Sequence, residues 1–187
     1  LVKDYDIEGI IHLAAKVGGV QGNTDYIADF YYDNIMMNTN VLHISHKLGI
    51  PKVVSLLSTC VYPHESSFPL IEENIHSGRP HSSNFGYAYA KRMVDVQSRV
   101  YRQQYGCNFI TAIPNDIPAI IRKIWEAKLS GKKPKFWGDG SPLREFTYSQ
   151  DIAPILIWLF DEYNQGEPIN IGNTSECKIK HVVEMAS

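Results

Sequence analysis

The stretch SLLSTCVYPH, residues 55–64, carries the first information about the fold. Its apolar start predicts a buried strand, and this strand ends at Ser58, Thr59 and Cys60, just before a Tyr-Pro turn. Open α/β sheets bind their ligands at the carboxyl ends of parallel strands, so the two hydroxyls and the thiol are candidates for an active-site rim. The alternative is a structural turn, because a small free cysteine is usually buried and inert.

The segments around this stretch alternate between strand-like and helix-like patterns. Short apolar runs predict buried strands, and apolar residues at three-to-four spacing predict helices. Strands are predicted at residues 8–15, 52–58, 108–114 and 167–173, and helices at residues 25–48, 84–105, 117–131, 150–166 and from 178 onward. Residues 61–83 are rich in Pro, Ser and His, which predicts a surface loop. This alternation predicts an α/β fold with a doubly wound parallel sheet.

The order of these elements also predicts two parts. Residues 1–115 are expected to form a partial dinucleotide-binding domain, and residues 116–187 a mixed region that contributes to a smaller C-terminal substrate lobe and to the last sheet elements. The chain begins at Leu1, in what the pattern indicates is the middle of a domain. We therefore expect that the first strands of the sheet are missing from it.

The composition disfavours several classes of protein. With 187 residues, 44% hydrophobic residues and a net charge of -2, the chain has no broad basic surface for nucleic acid or an anionic membrane. The longest apolar run, residues 154–160, is too short for a membrane-spanning helix. Three widely spaced cysteines disfavour a disulfide framework or a zinc site, so we expect no metal and a reducing, cytoplasmic location.

A tyrosine and a lysine in the segment NFGYAYAKRM, residues 84–93, are the next candidates for chemistry. Tyr87 and Lys91 are four positions apart, so both side chains project from one face of the predicted helix. A nearby ammonium is expected to stabilise the phenolate and to lower the pKa of Tyr87, which makes the phenol a usable acid or base. The alternative is an unremarkable surface pair, since this spacing also arises by chance.

A serine at a strand end, followed by Tyr-x-x-x-Lys on the next helix, resembles the extended short-chain dehydrogenase/reductase family, whose fold is Rossmann-like. The resemblance extends along nearly the whole chain. It rests on HLAAKVGGV (12–20), YYDNIMMNTNVLH (31–43), STCVYP (58–63), FGYAYAKRM (85–93), QQYGCNF (103–109) and FWGDGSPLREF (136–146). Related sugar-nucleotide dehydratases carry Asp-Glu after Ser-Thr, whereas this sequence has Cys60 there.

With Cys60 at this position, the sequence resembles the branch of the family that epimerises a GDP-linked 4-keto-6-deoxy sugar at C3 and C5 and reduces it at C4. The resemblance implies NADP(H) as cofactor, a GDP-sugar substrate and a homodimer formed by the helices at 25–48 and 84–105. The alternatives are an NAD-dependent sugar-nucleotide 4-epimerase or dehydratase, and a non-catalytic nucleotide-binding scaffold.

The resemblance also implies roles for individual residues. Ser58, Tyr87 and Lys91 would form the reductase triad, and Cys60 would move protons at the carbons beside the ketone. The cofactor would contact Ala14, Ala15, Leu56, Leu57, Ser58, Thr59, Lys91, Pro114 and Asn115. The GDP portion would contact Lys123, Trp137 and Arg144, whose other interpretations are a solvated lysine, a core tryptophan and a surface arginine.

Two features of the family pattern are absent from this sequence. The Gly-x-x-Gly-x-x-Gly motif of the first strand is missing, and with it the segment that selects NADP over NAD. The segment IPNDIPAII, residues 113–121, also lacks the long loop that carries a second acid/base histidine in the family. His64 and His81 lie in a different segment, so this role is not assigned to them.

Overall fold

The computed structural model describes residues 5–115, 118–134, 138–141, 143–173 and 175–186. The strands are β1 (Ile10–His12), β2 (Lys52–Leu56), β3 (Asn108–Pro114), β4 (Leu143–Glu145), β5 (Ile169–Ile171) and β6 (Glu176–Lys178). The helices are α1 (Gly19–Asp25), α2 (Ile27–Lys47), α3 (Phe85–Tyr105), α4 (Pro118–Ser130), α5 (Ser149–Asp161) and α6 (Ile179–Ala186).

Four parallel strands form the main sheet, in the order β1-β2-β3-β5. Successive side chains of a strand point to opposite faces, so β2 and β3 contribute to two separate cores. Val53 and Phe109 belong to one core, and Val54 and Ile110 belong to the other. The remaining strands, β4 and β6, pair with each other in antiparallel fashion.

Helices cover both faces of the main sheet. Leu42 of α2 and Val94 of α3 pack into the core on one face. Ile152, Leu156 and Leu159 of α5 pack into the core on the other face. The predicted doubly wound α/β fold is therefore confirmed.

A buried carboxylate on α3 connects the helix to its surroundings. Asp95 has no exposed surface, and its two carboxylate oxygens accept from Arg99 Nε at 3.0 Å. His76 Nε2 lies 2.8 Å from Asp95 Oδ2, and the Thr111 hydroxyl donates to Oδ1 at 3.4 Å. One side chain thus joins α3, strand β3 and the long loop at residues 61–83.

The same loop is also attached to the far strand of the sheet through Asn170 of β5. The Tyr62 hydroxyl donates to Asn170 Oδ1 at 2.7 Å, and Asn170 Nδ2 donates to Leu70 O at 3.0 Å. The backbone N–H of Asn170 donates to Glu72 Oε1 at 2.8 Å. These contacts hold the first part of the loop against the sheet, so the segment that follows β2 has a fixed path.

The elements differ from the sequence-based prediction in several places; for example, β1, β5 and α5 are shorter than the strands predicted at 8–15 and 167–173 and the helix predicted at 150–166. The helix predicted at 25–48 is present as α2, but the separate helix α1 precedes it, in a region where no helix was predicted. Strand β2 ends at Leu56 instead of residue 58, and β6 had not been predicted. Within the described ranges, none of the helices has the length and apolarity that crossing a membrane requires.

Candidate active site

The carboxyl ends of the parallel strands meet at one edge of the main sheet. The ladder continues just past two of the strands, because Leu57 N donates to Ala112 O at 2.8 Å and Asn115 N donates to Ile171 O at 3.0 Å. This edge therefore brings together the segments that follow β1, β2 and β3. These segments contain the predicted residues Ala14 and Ala15, Ser58 to Cys60, and Asn115.

A single 3₁₀ turn, Thr59–Val61, carries the cysteine that follows β2. Ser58 has extended backbone angles, and its carbonyl accepts from Val61 N at 3.0 Å, which closes the turn. Val61 is fully buried, whereas Ser58 and Cys60 keep partial exposure. The Ser58 side chain is close enough to the Cys60 thiol to lower its pKa, so the two polar groups are presented together.

Tyr87 and Lys91 lie one turn apart on the buried face of α3, with 9% and 3% of their surfaces exposed. Lys91 Nζ donates to Leu56 O at 2.8 Å, which connects the helix to the last residue of β2. Both side chains are within electrostatic reach of Cys60. The structure thus brings Ser58, Cys60, Tyr87 and Lys91 together, although they come from two separate segments.

Burial controls the titration of these groups. It raises the pKa of Tyr87 well above its ordinary value, and a negative charge on Cys60 raises it further. The expected lowering of the Tyr87 pKa by Lys91 is therefore wrong, because the removal of the phenol from water dominates. Burial lowers the pKa of Lys91 to about 8, and the Cys60 charge opposes this effect.

Cys60 is affected by opposing influences. Burial raises the pKa of its thiol above the ordinary value, which disfavours the thiolate. The Ser58 side chain and the positive charges of Lys91 and Arg92 lower the pKa of Cys60, because they favour the thiolate.

The loop after β1 is held in place by buried asparagines of α2. Asn34 has no exposed surface; its Nδ2 donates to Lys16 O and its Oδ1 accepts from Lys16 N, both at 3.0 Å. At the end of β1, His12 Nε2 lies 2.9 Å from Asn38 Oδ1. Ala14, which lies between His12 and Lys16, is exposed, and its small side chain leaves room for a ligand to approach the backbone.

The remaining predicted residues lie further along the chain. Pro114 and Asn115 are partly buried at the end of β3, and Asn115 Nδ2 donates to Glu145 Oε2 at 3.3 Å. Lys123 on α4 and Arg144 on β4 are exposed, and no hydrogen bond among the described residues connects them to the Cys60 cluster. Trp137 lies outside the described residues.

Sequence reasoning missed Arg92, which directly follows Lys91. Its side chain is 3% exposed and contacts the turn that carries Cys60. The sequence could have indicated this position, because Arg92 is four residues after Ala88 and three before Asp95, and this spacing places all three on the buried face of α3.

Comparison with known proteins gives a consistent result. The sequence profile of the NAD dependent epimerase/dehydratase family matches residues 1–172. The chain is 38% identical over 193 residues to a GDP-L-fucose synthase of Dictyostelium discoideum, covering 94% of this chain and 60% of the relative. It is also 38% identical over 186 residues to a GDP-L-fucose synthase of Sinorhizobium fredii, covering 91% of this chain and 59% of the relative.

A solved structure gives the same picture at the level of the backbone. The crystal structure of a GDP-L-fucose synthetase from Naegleria fowleri bound to NADP is similar with a TM-score of 0.86 and 35% identity, over 98% of this chain and 62% of that chain. The chain thus spans about 60% of the length of these relatives. Since the family profile matches most of its residues, the chain belongs to the NAD dependent epimerase/dehydratase family.

Proposed function

We propose that this protein is an NADP(H)-dependent epimerase-reductase that converts GDP-4-keto-6-deoxy-D-mannose to GDP-L-fucose. The main supporting observation is the cluster of Ser58, Cys60, Tyr87 and Lys91 at the carboxyl edge of the sheet. Two different acid/base groups, a phenol and a thiol, are available there for two different proton transfers. The similarity to GDP-L-fucose synthases supports the same substrate. A dehydratase or simple 4-epimerase is less well supported, because neither accounts for the thiol of Cys60.

The residues present fit a nicotinamide cofactor. A lysine ammonium has three donors, and Lys91 uses one of them on Leu56 O, so two can bind ribose hydroxyls. NADPH would supply the hydride that reduces the C4 ketone. In this proposal the cofactor contacts Ala14, Ala15, Leu56, Leu57, Ser58, Thr59, Lys91, Pro114 and Asn115.

Tyr87 has the properties of a proton donor to the C4 oxygen. The phenol is protonated at neutral pH, which is the state that a general acid needs, and burial holds its pKa above the ordinary value. The Ser58 hydroxyl can orient the same oxygen, and the Lys91 cation lies beside them at the end of β2. Reduction of the ketone would therefore use residues of α3 and of the segment after β2, the two elements that Lys91 connects.

In this proposal Cys60, in its thiolate form, acts as the base at a carbon next to the ketone. The C4 ketone acidifies the hydrogens on C3 and C5, and a thiolate is the reactive form of cysteine. The turn at Thr59–Val61 presents the thiol separately from Tyr87, so epimerisation and reduction need not compete for one group.

The charged end of the substrate would be bound by the C-terminal part of the chain. Lys123 and Arg144 are exposed cations that can pair with a diphosphate, and Arg144 also offers a planar, multi-donor group. Trp137 is proposed to contact the guanine side. In this division, residues 1–115 bind the cofactor and residues 116–187 contribute mainly to the substrate.

We also propose that the protein is a homodimer in the cytoplasm. Several apolar side chains on the outer faces of α2 and α3 are exposed, including Tyr31, Met36, Phe85 and Val100. A two-fold pairing of these helices would bury them. The three cysteines of the chain are all free, which fits a reducing compartment.

Two single substitutions can separate the halves of the mechanism. In heavy water without NADPH, the wild-type protein should exchange hydrogen for deuterium at the carbons beside the ketone of GDP-4-keto-6-deoxy-mannose. Cys60→Ser replaces the thiol with a far less acidic alcohol, so exchange should fall by about 100-fold or more. Tyr87→Phe should retain exchange but lose NADPH oxidation by about 100-fold or more.

Cys107→Ser is the matched control, because Cys107 lies at the start of β3, at the opposite end of that strand from the cluster. It should leave both rates unchanged, and all variants should show normal thermal unfolding. Undiminished exchange in folded Cys60→Ser, or full NADPH oxidation in Tyr87→Phe, would contradict these assignments.

A further inference from the structure

Arg92 is a buried cation with an incomplete set of partners. Its Nε donates to Val61 O at 2.6 Å and its Nη1 donates to Gly78 O at 2.7 Å, both backbone carbonyls. Its Nη2 is buried and has no hydrogen-bond partner among the described residues. A buried guanidinium normally pairs with a carboxylate. No such ion pair of Arg92 occurs in the part of the chain that the structure describes.

The two carbonyls that Arg92 binds lie at the two ends of one loop. Val61 is the last residue of the turn that carries Cys60, and Gly78 lies close to the end of the loop. The loop is also closed nearby, because His64 N donates to Arg79 O at 2.9 Å and Pro63 bridges to Pro80. One guanidinium therefore fixes the turn of Cys60 to both α3 and the returning limb of the loop.

The charged surroundings of Cys60 come mainly from α3. The positive charges of Lys91 and Arg92 on this helix act on the Cys60 thiol, as does the Ser58 side chain of the adjacent turn, and the Cys60 charge in turn acts on Tyr87. Among the described residues, the acidic groups that act on the charge of Arg92 are Cys60 and Tyr89, and the Tyr89 ring centroid lies 5.3 Å from the guanidinium carbon. The positive charge of Arg92 is thus left available to the Cys60 thiolate.

We propose that Arg92 is a positioning residue for Cys60, which holds the thiol in place through Val61 and stabilises its thiolate form by charge. This inference rests on the proposed function, in which Cys60 is the base for epimerisation. The positional part needs the forked geometry of arginine, since one group must donate to two carbonyls in different directions. The electrostatic part needs only a positive charge. The two parts can therefore be tested with different substitutions.

The first test measures the thiol itself and needs no substrate. In the full natural chain with Cys107→Ser and Cys177→Ser, alkylation of Cys60 by iodoacetamide is followed as a function of pH by mass spectrometry. Arg92→Met removes the charge, so the midpoint of the alkylation profile should move to higher pH and the rate at neutral pH should fall about tenfold. Arg92→Lys keeps a cation, so its midpoint should remain close to that of the wild type.

The second test measures the position of the thiol through deuterium exchange into the keto sugar without NADPH. Arg92→Lys cannot donate to both carbonyls, so its exchange rate should fall about fivefold or more although its alkylation midpoint is retained. Arg99→Met is the matched control, because Arg99 lies two turns further along α3 and pairs with Asp95 and Glu167. This variant loses a partly buried ion pair but should change neither readout.

The outcomes are distinct. A folded Arg92→Met with an unchanged alkylation midpoint, or Arg92→Lys with wild-type exchange, would overturn the role of Arg92. If Arg92→Met does not fold, the comparison of Arg92→Lys with Arg99→Met still decides the positional part. If the wild-type protein itself shows no exchange, the proposed function fails, whereas the alkylation profiles still test the effect of Arg92 on Cys60.

Discussion

Lys91 shows how the position of a single residue can set its chemistry. Lys91 lies on the buried face of α3 with only 3% of its surface exposed. Burial lowers its pKa more than the Cys60 charge raises it. A buried charged lysine destabilises the folded state, because burial favours the neutral form more than water does. In the proposed function, the protein tolerates this loss of stability because the lysine is needed at the site. The same burial raises the pKa of Tyr87, which remains protonated at neutral pH as a proton donor must be.

This cost leads to a prediction for Lys91→Met. Lowering the lysine pKa from 10.5 to about 8 destabilises the folded state at neutral pH, by an amount on the order of 3 kcal/mol. The substitution removes this destabilisation, but it also removes the hydrogen bond to Leu56 O, which lowers the gain by about 1 kcal/mol. Methionine fills a similar volume without a charge, so the free energy of unfolding should rise by about 1 to 2 kcal/mol while NADPH oxidation is lost.

The pH dependence identifies the cause. Between about pH 8 and 10.5 the unfolded chain binds more protons at Lys91 than the folded chain does, so wild-type stability rises with pH in this window. The advantage of Lys91→Met in urea unfolding should therefore shrink across the same window. Lys123→Met is the control at an exposed position. It should change the free energy of unfolding by less than about 0.5 kcal/mol at both ends of this pH window. A pH-independent gain for Lys91→Met would show that charge burial is not its cause.

At the scale of elements, long segments with a clear apolar pattern were predicted more accurately from the sequence than short ones. Strand β3 lies at the predicted residues 108–114 and α3 within one residue of its prediction, because both have long apolar repeats and α3 stops at Gly106, whose φ of +70° favours glycine. The three-residue strand β6 was missed, since such a segment has no period and depends on its pairing with β4.

The candidate site was predictable to a similar extent. Tyr87, Lys91, Ser58 and Cys60 were found because their residue types and spacing are recognisable in the sequence. The direction of the Tyr87 pKa could not be predicted, since it depends on how deeply α3 is buried. Arg92 was missed for the same reason, because its partners are backbone carbonyls that leave no trace in the pattern of residue types.

The contact between α2 and α3 gives a prediction for Gly86. Glycine to alanine within a helix usually stabilises a protein by about 1 kcal/mol. At Gly86 a Cβ atom would lie 2.6 Å from the backbone oxygen of Ile27, which cannot move without shifting the start of α2. Gly86→Ala should therefore destabilise the fold by about 1 to 3 kcal/mol in urea unfolding, the opposite of the usual sign.

A matched control for this substitution lies on the same helix. Gln103 is exposed near the end of α3, so Gln103→Ala should change the unfolding free energy by less than about 0.5 kcal/mol. Because Gly86 directly precedes Tyr87, Gly86→Ala should also reduce NADPH oxidation in the fraction that remains folded. Stabilisation by Gly86→Ala would mean that the two helices do not approach as closely as described.

At the scale of the whole molecule, the outer side of the α2–α3 pair is one of the apolar surfaces that the fold leaves uncovered. Phe85, Val96 and Val100 of α3 are 49%, 37% and 47% exposed, and they recur with Tyr89 and Met93 at three-to-four spacing. Tyr31 of α2 borders the same surface beside Phe85 and Tyr89. A stripe of this kind is typical of helices that pack against other helices, which is why we expect a second copy of the chain to cover it.

The last prediction tests this pairing with Met93→Arg. In a two-fold interface each substitution occurs twice, and an unpaired charge in the buried centre of an interface is costly, so the dissociation constant should rise by about 100-fold or more. Sedimentation at micromolar concentration should then show a dimer for the wild type and a monomer for Met93→Arg, with similar thermal unfolding of the isolated subunit. Lys47→Glu, an exposed change of charge at the end of α2, should leave the dimer intact. A monomeric wild-type protein, or a dimer that tolerates Met93→Arg, would place the subunit contact elsewhere or remove it.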